Sequence, residues 1–325
     1  MTRLTRTARQ ADLVHLPAGH LLVHFVEDPE GHGEQIYFSL SDGADPTRWT
    51  RANGGAPVLG SRIGTTGARD PHIVRGDGEF VITATDLRVW GAGPHRWDEW
   101  TRTGSRSLLV WRSPDLVTWS GPALVEVAPP TAGMTWAPEA RWVAADGEYR
   151  VSWSSALYAD DDPQHRGLGH SRILEARTRD FRTFSPAEVV LDIGRPVMDA
   201  RVYEIGGRMV RFAKEEPGPE SLGVFQEVAT ADGWTRVASG IGTDRHEHVE
   251  GAMLVEDPLR DRWLLWLDQY DRMPQGFVAY ACDDALSGRW TPLEDGEFTV
   301  PPNTKHGAVL PLDEQEWQRV QAAYR

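Results

Sequence analysis

The chain has 325 residues, 25% charged and 40% apolar, with 34 Lys and Arg against 48 Asp and Glu for a formal net charge of −14. That balance opposes attraction to phosphate backbones and anionic headgroups, so nucleic acid and membrane are not expected partners. A single cysteine, Cys282, rules out an intrachain disulfide and a cysteine metal cage.

No run approaches the roughly 18 apolar residues of a membrane span. Arg3, Arg6 and Arg9 precede no apolar stretch of signal-peptide length, which makes the expected location cytoplasmic. The length suits one domain over residues 1–325 if the chain is all-β, because barrels and propellers of this size do not split.

In chain order, five short apolar runs each follow a tight-turn signal: HLLVHFVE from His20, EFVITATDL from Glu79, EYRVSWSS from Glu148, RMVRFAKE from Arg208 and RWLLWLDQY from Arg262. The turns are Ala18-Gly19, Asp77-Gly78, Asp146-Gly147, Gly206-Gly207 and the stretch 257–261. These are the residues that hairpins need for positive φ. A second phrase recurs between them: a small residue, Asp, and an aromatic a few positions on. It reads Ser41-Asp42 with Trp49, Ser113-Pro114-Asp115 with Trp119, Thr178-Arg179-Asp180 with Phe184, and Asp283-Asp284 with Trp290.

Strand, turn, strand, turn, aromatic, repeated about five times, describes radially arranged four-stranded sheets. The expected fold is an all-β, five-bladed β-propeller, with a β-sandwich as the alternative. Helical periodicity is confined to a short C-terminal helix around 313–325.

In a propeller the innermost strands line a channel, so carboxylates near their starts converge. Asp70, Asp199 and Glu250 each lie among apolar residues one short strand ahead of a hairpin turn, and Glu139 holds a similar place ahead of Asp146-Gly147. All four are expected in equivalent register, facing one pocket. His72, His246 and His248 flank these acids and are read as pocket polarity, since no closely spaced His pair suggests zinc.

The ordered motifs RDPHIV, SPDLVTW, WAPEARW, DGEYRVSW, MDARVYEIGGRMVRFAKEE, HVEGAML and KHGAVLPL, between about Gly55 and Leu312, together resemble glycoside hydrolase family 43. That resemblance implies a five-bladed propeller that inverts the anomeric centre. It implies Asp70 as general base, Asp199 as the carboxylate that tunes and orients the acid, and Glu250 as general acid. Glu139 and the pair Lys214 and Glu215 match positions that face the sugar; Trp136, Arg69 and His306 join this substrate-binding set, as does Trp90 from the GAGPHRWDEW stretch expected at the channel mouth. His306 matches a histidine near the axis that helps hold calcium in some relatives. No cofactor is otherwise implied. The acid motif Glu-Gly-Ala and Arg201 after Met-Asp-Ala depart from the commoner family pattern.

The chemistry fits that trio. An inverting hydrolase needs a carboxylate to deprotonate water and a carboxylic acid to protonate the leaving oxygen, roughly 6.5–9.5 Å apart. The expected partner is an oligosaccharide or polysaccharide, and the expected activity is release of a pentose, α-L-arabinofuranose or β-D-xylose, with a galactoside less favoured. Two alternatives stand beside it: a non-catalytic glycan-binding propeller, and a retaining sucrose-type hydrolase or transferase with Asp70 as nucleophile.

Overall fold

The computed structural model describes residues 16–27, 34–89, 91, 93, 96–216 and 223–325. Trp90 lies outside them. Twenty strands form five four-stranded antiparallel sheets. The first sheet contains β1 (Gly19–Val26), β2 (Tyr37–Asp42) and β3 (Asp45–Arg51). The second runs from β4 (Ala68–Arg75) through β5 (Phe80–Asp86), β6 (Ser107–Ser113) and β7 (Ala123–Glu126), with a short helix α1 (Trp97–Thr103) between β5 and β6. The third is β8 (Trp136–Val143), β9 (Glu148–Leu157), β10 (His170–Thr178) and β11 (Glu188–Leu191). The fourth is β12 (Val197–Ile205), β13 (Arg208–Glu215), β14 (Val224–Thr230) and β15 (Gly233–Ile241). The fifth is β16 (Val249–Asp257), β17 (Arg262–Gln269), β18 (Gly276–Cys282) and β19 (Thr291–Pro292). The last strand, β20 (Thr304–Leu312), pairs with β1 and completes the first blade from the other end of the chain. The architecture is the expected five-bladed propeller.

Each apolar run recognised in the sequence is the second strand of its blade, shielded on both faces: β5 is buried from end to end, and β17 from Leu264 to Gln269. The turn phrases also have a shared cause. Ser113 Oγ accepts the Leu116 N–H and Asp115 Oδ1 those of Val117 and Thr118; Thr178 Oγ1 accepts from Phe181 and Asp180 Oδ1 from Arg182 and Thr183. These side chains satisfy backbone donors that the tight turn would strand. Leu116 and Phe181 then take positive φ, 68° and 52°, and both are buried.

Among the described residues there are two α-helices. α2 (Glu314–Ala323) is the one expected, started by a reciprocal cap between Asp313 and Glu316 and anchored by buried Trp317 and Val320. α1 was not legible as a helix. At seven residues it is too short to show a helical period. Among the described residues no helix is long and apolar enough to cross a membrane.

The inner strands β4, β8, β12, β16 and β20 share a defect that matters more than their length. In each, one extra residue interrupts the pairing with the second strand: between Arg69 and His72, Trp136 and Glu139, Met198 and Arg201, Glu250 and Met253, and at His306 in β20. In four of them the residue entering the bulge is left-handed: Asp70 (φ 48°), Ala137 (49°), Asp199 (54°) and Gly251 (58°). A bulge bends the strand and re-aims its side chains. Here it does so at one height in every blade.

Closure through β20 depends on Gly307. A Cβ there would lie 2.1 Å from the Val23 backbone carbonyl, which no side-chain adjustment relieves. Gly307→Ala is expected to cost more than about 2 kcal/mol, as overpacking at a rigid site does. The check is the urea midpoint of the variant; an unchanged midpoint would show that the first blade closes some other way.

Candidate active site

The bulges stack inner-strand side chains in three levels around the axis. Arg69, Trp136, Met198, Glu250 and Lys305 are the last paired residues before the bulge. Asp70, Ala137, Asp199, Gly251 and His306 are the bulge residues. Pairing resumes at His72, Glu139, Arg201 and Met253.

The four acids are therefore not in equivalent register. Asp70 and Asp199 match each other, Glu250 sits one residue earlier, and Glu139 two residues later. Counting from the hairpin turns could not resolve this, because the extra residue lies between Glu250 and its turn but ahead of Glu139.

Three of these acids still converge. Asp70 Oδ2 accepts the Thr85 hydroxyl at 2.9 Å, and its Oδ1 lies 3.6 Å from His306 Nδ1. His306 fills the space left by Gly251, where a Cβ would stand 2.9 Å from the imidazole Cγ. It thus packs against both the base candidate and the neighbour of Glu250. Asp199 is affected by the charges of Glu250 and Asp70. The side chains of Asp70 and Glu250 are 16% and 24% exposed, whereas Asp199 is buried, so the first two are open to a ligand and the third is not.

Burial, then the Glu250 charge, pushes the Asp199 carboxyl well above its ordinary range. Burial would also raise Glu250, but Lys214 foremost and Lys305 next outweigh it and hold Glu250 down at about 2. Lys214 Nζ is 2.8 Å from Glu250 Oε2, 3.2 Å from Glu216, and 4.9 Å over the Tyr270 ring. Tyr270 in turn stacks on His248. Asp268, which the sequence did not single out, is fully buried and is raised to about 6, by burial first and against the pull of Lys305. It accepts the His306 backbone N–H at 3.0 Å.

Other sequence-nominated residues have internal partners. Glu215 does not face the site. Adjacent strand residues point to opposite faces, and while Lys214 reaches Glu250, Glu215 is shielded between Arg195 and Arg236. Arg69 pairs with Glu34 at 2.9 Å and Glu27 at 3.4 Å and lies over the Phe25 ring. Trp136 stands 6.2 Å edge-on from Trp97, an aromatic on α1 that belongs to the GAGPHRWDEW stretch expected at the channel mouth and is 44% exposed. His246 pairs with Asp271.

Below the carboxylates the channel is plugged. Arg201 reaches from β12 to Glu139 on β8 and, at 3.0 Å from both terminal nitrogens, to the Gly307 carbonyl on β20. His72 Nδ1 lies 2.6 Å from the other Glu139 oxygen. Glu139 is thus held in a buried network, where Arg201 first and His72 next overcome burial and keep it down at about 2.

This arrangement does not suit calcium at His306. Calcium takes six to eight oxygens, yet the carbonyl of Gly307, next to His306 in the chain, is committed to Arg201. Among the described residues no group of three His, Cys, Asp or Glu could hold a metal ion.

Comparison with known proteins now decides the family. The model of a glycosyl hydrolase 43-related family, described as "Probable glycosyl hydrolase domain", matches residues 17–318. The chain belongs to this family. It is a family-43-type glycoside hydrolase domain. An α-L-arabinofuranosidase of Bifidobacterium longum subsp. longum is 31% identical over 227 residues, covering 65% of this chain; the chain spans only 21% of that enzyme's length. Among solved structures, a thermostable family-43 glycoside hydrolase is similar at TM-score 0.54 with 14% identity, over 77% of this chain and 82% of its own. The catalytic domain of a Coprinopsis cinerea GH62 α-L-arabinofuranosidase gives 0.51 at 14%, over 77% and 75%. An exo-β-1,3-galactanase from Clostridium thermocellum gives 0.50 at 15%, over 81% and 52%. At such identities the structural likeness establishes the propeller alone.

The axial plug in this family-43 domain gives a stability prediction. Removing one member of a buried pair leaves the other charge unpaired and costs about 3–5 kcal/mol. Arg201→Met and Glu139→Leu should each destabilise by that order, and the double variant should recover most of the loss. Folding holds Glu139 at about 2, below the 4.5 of an unperturbed glutamate. Its contribution is therefore complete above the unfolded value and is lost as pH falls toward the folded one. Urea titrations of the set between acidic and neutral pH check both points; additive single effects would break the pairing argument.

Proposed function

We propose that this domain hydrolyses a terminal pentoside with inversion, an α-L-arabinofuranoside before a β-D-xyloside, using Asp70 as general base and Glu250 as general acid. The observation that carries the reading is the meeting of Asp70 and Glu250, both accessible, around the buried carboxylate of Asp199 at the channel mouth. A pure binding module has no use for a carboxylate pair whose members perturb one another in this way. The arabinofuranoside preference rests on the 31% identical relative, and the galactanase among the structural neighbours keeps a hexoside as the second reading.

In the proposed step a water oxygen bonds to the anomeric carbon as Asp70 takes its proton. The Thr85 hydroxyl fixes one Asp70 oxygen and leaves the other toward His306 and the site. The glycosidic bond breaks toward the leaving oxygen, which takes a proton from Glu250. Asp199 is the neighbouring charge site that makes a proton available to Glu250. Trp97 and Trp136 supply apolar faces at the rim, of the kind that pack on the C–H side of a sugar ring.

The test is a screen of nitrophenyl pentosides and galactosides, with NMR of the first-formed sugar. The inverted anomer is expected, with Asp70→Asn and Glu250→Gln each lowering turnover of a natural glycoside by about 10³-fold or more, the scale of losing acid–base catalysis with its positioning. Near-native turnover in either variant would remove the role assigned to that residue, and a retained anomer would favour the nucleophilic reading of Asp70.

A further inference from the structure

One position of the second strand has a duty repeated in three of the five blades; in the first blade it is Phe25, whose ring offers no acceptor, opposite Lys305. Thr85, Ser154, Lys214 and Asp268 pair across from the last residue before the bulge in their blades, Arg69, Trp136, Met198 and Glu250. In three blades this side chain is an acceptor for the bulge residue's backbone N–H in the next blade: Thr85 for Ala137 at 2.8 Å, Ser154 for Asp199 at 3.1 Å, and Asp268 for His306 at 3.0 Å. In the fourth blade the residue is Lys214. An ammonium has no lone pair to offer, so it cannot tie down the next bulge. It bonds instead to the Glu250 carboxylate, although an acceptor at this place would serve the fold as it does elsewhere.

Lys214 has two carboxylates within reach. Glu250 Oε2 is 2.8 Å away and Glu216 Oε1 3.2 Å, and Glu216 is 32% exposed at the end of β13 while the Lys214 side chain is only 6% exposed. The ammonium sits on the Tyr270 ring, which leaves it a face along which to move between them.

We propose that Lys214 is a positioning residue that decides which member of the Asp199–Glu250 pair carries their common proton: bonded to Glu250 in the resting enzyme, it turns to Glu216 when a sugar enters, and Glu250 becomes the donor. The inference rests on Glu250 being the acid. While the ammonium contacts Glu250, the anion belongs there and the proton belongs on buried Asp199, in line with the opposite directions in which the two carboxyls are displaced. When Lys214 moves off, the proton passes from Asp199 to Glu250, and from there to the leaving oxygen. The charged groups facing the pair are Lys214 and Glu216 on or next to β13, Asp268 and Tyr270 by β17, Lys305 and His306 on β20, Glu27 after β1, and Asp70 on β4. Of these, Lys214 is the one bonded directly to Glu250.

The experiment is the pH profile of kcat/KM and kcat with methyl α-L-arabinofuranoside, followed by NMR, because a poor leaving group makes the acid's proton necessary. Lys214→Met should move the basic limb upward by about one pH unit or more, the effect of removing an opposite charge at contact distance. Glu216→Gln, at an exposed site where folding is not at risk, should move that limb downward and lower kcat about tenfold with little change in KM. Lys214→Arg should keep the limb near its native place. Opposite displacements from the two variants are what a merely structural lysine would not give. A basic limb that stays put or falls in Lys214→Met, or rises in Glu216→Gln, would overturn the proposal. Glu250→Gln is run beside them: its retaining turnover would instead remove the acid assignment, and this inference with it.

Discussion

The site depends on one backbone irregularity repeated around an axis. A regular inner strand would alternate its side chains between the two faces of its blade, and no two blades would present consecutive residues to the channel in a coordinated way. The extra residue in each inner strand breaks that alternation at a common height, turning Asp70 and Asp199 into the left-handed region and bringing their carboxyls over the channel. Asp tolerates this conformation better than most residues, since its short polar side chain can bond locally. At Ala137 the backbone is the same and the side chain is chemically inert, so the bulge is a property of the fold and the carboxylates are what this sequence has placed on it.

That distinction explains what the sequence made legible. The five blades were readable because each second strand is a continuous apolar run behind a turn that needs positive φ, both local signals. Asp70 and Asp199 were readable because charged residues among apolar neighbours ask for a reason. The relative heights of Glu250 and Glu139 were not, because the inserted residue leaves no compositional trace and falls after Glu250 but ahead of Glu139. Lys214 and Glu215 illustrate a simpler oversight, since strand alternation alone separates neighbours onto opposite faces. Thr85, Asp268 and Lys305 escaped for a different reason: their importance lies in contacts between blades that are distant in the chain. The closure of the first blade by β20 belongs to the same class.

The electrostatics show how buried charge is distributed by level. At the bulge and just above it, acids outnumber bases: Asp70, Asp199, Glu250 and Asp268 face Lys214 and Lys305. Burial favours the protonated form of Asp199 and Asp268, while Lys214 and Lys305 favour the charged form of Glu250. Below, Arg201, Glu139 and His72 form a matched set that closes the channel without a surplus carboxylate. The lower level therefore fixes the inner strands to one another, while the upper level holds the carboxyls to which the proposal gives a common proton.

The separation of the two levels also bears on why Asp199 is the buried member of the upper trio. A carboxyl kept from water near another negative charge holds its proton tightly, and Asp199 is displaced upward where Glu250 is displaced downward. It does so without competing for substrate contacts, because Asp70 and Glu250 are the accessible ones. Its backbone N–H is fastened to Ser154 in the preceding blade, so the carboxyl cannot drift with the loops at the channel mouth. In the proposed mechanism proton supply is thus tied to the inner strands and substrate choice to the rim, where Trp97 on α1 and Trp136 at the start of β8 meet edge to face. A rim of that kind can change its sugar preference without disturbing the carboxylates beneath it, which is consistent with one propeller appearing among arabinofuranosidases and a galactanase alike.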